Sequence, residues 1–210
     1  MELIDKLFEK VHASYFSFVG LIVFIIGLIP AMIVEPNFSF FITHISDLGA
    51  PSNILYIFFD ICWFITGVFM IFFLLGFTYY LQEKGVKSKG AWAAFILGFL
   101  SALGMLGLSI FNSEESPDMH LYSEYLFFFT GILYLFYYAI LEWKIQEFSK
   151  FQAIFNLIVV FFFILYLILL IMNKINPSFA PEFQSFAEWL FLFADLIWFF
   201  ENGLLMLKKK

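Results

Sequence analysis

The sequence predicts an all-α polytopic membrane protein, a bundle of six transmembrane helices forming one membrane domain over 1–210. Three observations predict it. The chain is 63% hydrophobic and 13% charged. It has 34 phenylalanines in 210 residues, more apolar surface than a soluble domain of this size could bury. Its apolar residues also gather into six long runs, each above the roughly 20 residues that cross a ~30 Å hydrocarbon core. A spanning segment has to satisfy its own backbone hydrogen bonds, so helices are expected. The short alternating strands of a barrel are absent.

Residues 1–12 come first and place Leu3, Leu7, Phe8 and Val11 on one helical face, which suits a short interfacial helix. The first run, 13–34, is uncharged. It is too long for the apolar core of a signal peptide and no small-x-small site follows, so it reads as a span. The second, 54–81, is interrupted only by Asp60, and the third, 91–111, is uncharged. The third also repeats small residues at Gly90, Ala94, Gly98 and Ala102, with Gly104 and Gly107 beyond, a stripe that lets another helix approach closely. The fourth, 121–141, holds Glu124; the fifth, 151–172, is uncharged; the sixth, 183–207, holds Glu188, Asp195 and Glu201. Cys62, the single cysteine, excludes an internal disulfide.

Lysines orient the bundle. Ten of the eleven flank the runs on one side, and only Lys174 lies on the other. By the positive-inside rule both termini are cytoplasmic, as for a multi-pass protein of the cell membrane. The cytoplasmic side then carries +3, counting Glu142 and Glu201 there, and the outer side −5. An acidic outer face repels nucleic acid, and the lysine-rich inner face suits anionic headgroups; membrane lipids are the expected partners.

The connection 35–53 is apolar as well as polar, with Phe38, Phe40, Phe41, Ile42 and Ile45. Such a loop lies at the membrane surface or folds over the mouth of the bundle. Gly49-Ala50-Pro51 turns the chain into the second helix, with Ser52 or Asn53 to cap it.

Carboxylates inside a bilayer cost about 2.5–3.5 kcal/mol each at a helix centre, so they call for a role. By depth, Asp60, Glu124 and Glu188 belong to the outer half. They lie beneath loops carrying His44, Ser46, Asp47, Asn53, Asn112 and His120, which together outline an outward-facing acidic cavity. Asp195 and Asn202 continue the stripe of Glu188 at seven-residue intervals, a candidate membrane relay. His44, Asp47, His120 and Glu124 are the candidate metal ligands, although no local metal motif fixes two of them. No nucleophile elbow, P-loop or dinucleotide fingerprint occurs, and no cofactor is assigned.

Ile45-Ser46-Asp47-Leu48-Gly49 before the second helix, and Gly107 to Phe111 followed by an acidic loop and His120, carry a resemblance. On these motifs the chain resembles an uncharacterised six-span prokaryotic membrane family, domain of unknown function 998. It is more distantly similar to the Frag1/DRAM/Sfk1 group, whose members are associated with lipid remodelling and membrane organisation. The resemblance implies a six-span fold, with function only by analogy. Three functions follow for the cavity: binding of a lipid headgroup or a cation; a metal- or water-dependent hydrolase or lipid-remodelling enzyme; and a proton- or cation-coupled transporter.

Overall fold

A computed structural model describes residues 7–208. The chain is about 80% helical, and no strand occurs among the described residues. Among the described residues six helices are long and apolar enough to cross a membrane: Ser14–Val34, Tyr56–Glu83, Ser88–Ile110, Pro117–Lys144, Lys150–Ile175 and Pro181–Leu207. They match the six predicted runs but extend further at several ends. Pro117 and Pro181 each open a helix, where a missing N–H costs nothing and φ is already helical. These two prolines are thus helix starts, whereas Pro36, Pro51 and Pro177 lie in turns. Of the predicted interfacial helix, residues 7–10 are helical, and 1–6 lie outside the described residues.

Each span packs on the next in sequence, and the sixth returns to the first, so the bundle closes into a ring. Short connections make neighbours antiparallel. The connections 84–87 and 145–149 therefore share one end, where Lys84 pairs with Glu147 at 2.9 Å. This is the lysine-rich end. The connections 35–55, 111–116 and 176–180 share the other.

The small residues of the third span serve two neighbours. A Cβ on Gly98 would meet Leu74 of the second span at 2.8 Å, and one on Gly104 would meet the backbone nitrogen of Phe127 at 2.5 Å. Only glycine permits the second approach, because backbone cannot swing aside.

The long connection 35–55 folds over the end of the bundle. Phe38 and Phe40 pack edge-on against Trp189 with centroids 5.5 and 5.1 Å away, and Phe41 stacks on Phe186 at 4.8 Å. Trp189 Nε1 donates to the Thr43 carbonyl at 2.9 Å. A short helix, Ile45–Leu48, then buries Ile45 and Leu48 completely. The aromatic residues of this loop are its anchor to the sixth span.

Candidate functional site

The loop helix is fixed at its start by Asp47, whose Oδ2 accepts the His44 backbone N–H at 2.7 Å. This points the His44 ring at the sixth span. Its Nδ1 lies 2.6 Å from Glu188 Oε2, and its Nε2 lies 3.0 Å from Ser185 Oγ. Burial disfavours the imidazolium, but the hydrogen bond to Glu188 and the charges of Glu188, Asp47 and Glu124 outweigh it, raising His44 to about 9. His44 is therefore charged at neutral pH and donates from both nitrogens. Ser185 passes its own proton toward the Ile42 carbonyl at 3.4 Å. Burial raises the Asp47 carboxyl, and the His44 N–H and charge partly oppose that rise.

Beside this contact is a cleft of about 500 Å³, lined by His44, Ser46, His120, Glu124, Tyr166, Lys174 and Gln184 among others. Glu124 accepts from the Tyr166 hydroxyl at 3.1 Å. His120 Nδ1 is held by the Phe111 carbonyl at 2.7 Å, which leaves Nε2 buried without a partner. Beneath lies a smaller cavity of about 30 Å³, whose lining includes Ser46, Asp60, Asn112, His120, Glu124 and Glu188. Its lining brings together Asp60, Glu124 and Glu188 from three different spans. The cleft itself is mixed in charge, because Lys174 and charged His44 join Glu124.

Three candidates hold loops instead. Asp47 caps the loop helix, as above. Asn53, 1% exposed, donates to the Ala31 carbonyl and to Glu35 Oε2, and accepts from Leu55 N at 2.9 Å. It thus closes a turn just before the second span and ties the loop to the first; the helix itself starts at Tyr56 with Leu55 at its N-cap and no side-chain cap, so neither Ser52 nor Asn53 caps it as expected. Asn112 lines the small cavity, but its oxygen accepts the Glu115 N–H at 2.7 Å and its amide donates to Glu115 Oε2. Among the described residues no three His, Cys, Asp or Glu side chains gather as a metal group would require.

Residues 11–201 match the family model of the Frag1/DRAM/Sfk1/Cwh43P N-terminal domain. The chain belongs to this family. No curated protein and no solved structure matches it. The match supports the second resemblance drawn from the sequence and says nothing of the first. All six spans fall almost wholly within the Frag1/DRAM/Sfk1/Cwh43P match. So does every candidate residue except Asn202.

The two relay candidates, Asp195 inside the family match and Asn202 just beyond it, part company. Asp195 lines a third cavity with its Oδ1 unpartnered, whereas Asn202 donates to the Trp198 carbonyl one turn back at 3.0 Å. Near Asn202 the domain has a polar cluster that sequence reasoning missed. Glu142, counted as solvated, is 1% exposed and accepts from Asn156 Nδ2 at 2.6 Å; Asn156 Oδ1 in turn accepts the Trp198 N–H. The fourth helix runs on to Lys144, which keeps position 142 inside the bundle. Asn156 was the available signal, an amide one turn past Gln152 in an uncharged, mostly apolar run.

Proposed function

We propose that this chain is a membrane protein whose cleft holds the headgroup of a zwitterionic lipid, with the ammonium end toward Glu124 and the phosphate end toward Lys174 and His44. The observation that carries the reading is the lining of the 500 Å³ cleft, which combines both signs of charge in a volume usual for small-molecule sites. The rim adds to it. Phe41, Ile42, Phe179 and Phe183 are 38–69% exposed around that end of the bundle, where they would lie against acyl chains. The lysine asymmetry supports a cytoplasmic lysine-rich end and a cleft facing outward across the cell membrane.

The hydrolase reading draws its best support from the order Ser185–His44–Glu188, which resembles nucleophile, base and orienting acid. Ser185, however, is 1% exposed. His44, protonated up to about 9, has no lone pair to accept the serine proton at neutral pH. The contact reads as a latch holding the loop on the sixth span.

The test is lipid-dependent stabilisation in nanodiscs of phosphatidylethanolamine, phosphatidylglycerol or a mixture. The zwitterionic lipid is expected to raise the unfolding temperature and to stay bound in native mass spectra, and Glu124→Gln and Lys174→Gln each lose that preference. Equal stabilisation by both lipids, or no retained lipid, overturns the reading.

A further inference from the structure

We propose that Asp195 is a proton-binding site within the membrane span, reached by water from the cleft end and sealed from the lysine-rich end. The inference is independent of what the cleft binds.

Three spaces adjoin one another along the bundle axis. The cleft and the small cavity share Ser46, His120 and Glu124 in their linings. The small cavity and the third, of about 40 Å³, share Trp63, Phe127 and Phe191. A water needs about 10–15 Å³ of such space and two or more polar partners. The inner cavities therefore have room for about two to four waters each.

Unpaired buried groups decide whether they are wet. An apolar cavity of this size stays dry, but a buried donor or acceptor without a partner draws water in. His120 Nε2, Trp63 Nε1 and Asp195 Oδ1 are all buried without a protein partner, and all three residues line these cavities. Asp195 is 9% exposed. Facing it in the third cavity are the Ser17 hydroxyl from the first span, Trp63 and Thr66 from the second, and only apolar Met105 and Phe127 from the third and fourth. Tyr134, deeper on the fourth, lies within electrostatic reach. The fifth span contributes none of the lining, and no basic group is among it. The Ser17 and Thr66 hydroxyls donate to the Phe199 carbonyl and to the Gly20 and Cys62 carbonyls, so their lone pairs remain for water.

Past Asp195 the water path ends. Phe73, Phe77, Tyr134, Tyr138 and Trp198 are 0% exposed and lie further along the second, fourth and sixth spans. Their rings pack at 5.2 Å (Phe77–Tyr138) and 5.8 Å (Tyr134–Trp198) and line none of the three cavities, so although the Tyr134 and Tyr138 hydroxyls are buried without a partner, ring packing and not the lack of polar groups closes the way to the Glu142–Asn156 cluster. Protons thus reach Asp195 from one end only, a dead-end site and not a through channel.

X-ray hydroxyl-radical footprinting of the protein in nanodiscs, in ¹⁸O water, tests the water. Met70 and Met105, both buried and both lining the third cavity, are expected to be oxidised well above buried Trp198; labelling no greater than at Trp198 overturns the water path. Infrared spectroscopy tests the proton. A carboxyl C=O band absent in Asp195→Asn is expected to shift within seconds of transfer to D₂O. A band unchanged for hours, or no Asp195-dependent band, overturns the site. Should Asp195→Asn fail to fold, Asp195→Glu moves the same band.

Discussion

Glu188→Gln removes the charge that holds His44, and its cost can be worked from the structure. The Glu188 and His44 side chains are 6% and 27% exposed and meet at 2.6 Å. Against the opposing effect of burial, the hydrogen bond and charge of Glu188, with the charges of Asp47 and Glu124, raise His44 from its ordinary 6.5 to about 9, a net rise worth about 3 kcal/mol at about 1.4 kcal/mol per pH unit. Because the folded value is the higher one, this stability is full below about pH 6.5 and is lost as pH climbs through 9. The amide of the variant keeps an acceptor of the same size but no charge. Cys62, the single cysteine and buried, offers a direct assay, the unfolding temperature at which a thiol-reactive dye gains access. The unaltered protein should lose stability steeply between pH 7 and 10. The variant should begin lower by about 3 kcal/mol, show a flatter curve and meet the unaltered protein near pH 10. Two parallel curves would show that the pair does not stabilise the lid, and the reasoning fails.

Gly104→Ala forces the third and fourth spans apart by about 1 Å, since its Cβ meets Phe127 N at 2.5 Å; a loss of about 1–3 kcal/mol is expected in the same thermal assay, against no loss at exposed control sites. Asn156→Leu strips a partner from both Glu142 and the Trp198 N–H, and the unpaired groups should cost about 1–3 kcal/mol each, with Glu142→Gln recovering part of the loss. Ser185 should resist a fluorophosphonate at pH 7.5, read by peptide mass spectrometry; a Ser185 adduct would overturn the latch reading and revive the hydrolase.

Legibility varied residue by residue. Asp60, Glu124 and Glu188 stood out because a carboxylate in an apolar run has one depth and a known cost, and the structure gathers them on one cavity. Asn53 was expected to cap the second span, but that helix starts at Tyr56, and the Asn53 oxygen closes a turn onto Leu55 N one step earlier. Lys174 was counted for topology alone, and its place on the cleft depends on how the fifth span rotates. Ser185 gave no signal, because a serine in a helix is common and its meaning comes from His44, 141 positions away. Glu142 misled for the opposite reason. The fourth run was read as ending at 141, which left Glu142 among the cytoplasmic acids, and only the length of the fourth helix carries it inside.

The sequence by itself determined the solvent of this protein, the number of its spans and the end on which its lysines gather. Those properties are sums along the chain: hydropathy over about 20 residues, and charge over each connection. Tertiary structure alone decided which polar groups meet. A helix fixes the depth of a side chain through its rise of about 1.5 Å per residue, but its rotation is set by neighbours such as Phe127 against Gly104. Depth put Asp195 and Asn202 in one stripe; the packing of Trp198, Tyr134 and Tyr138 between them separates the Asp195 cavity from the Glu142–Asn156 cluster.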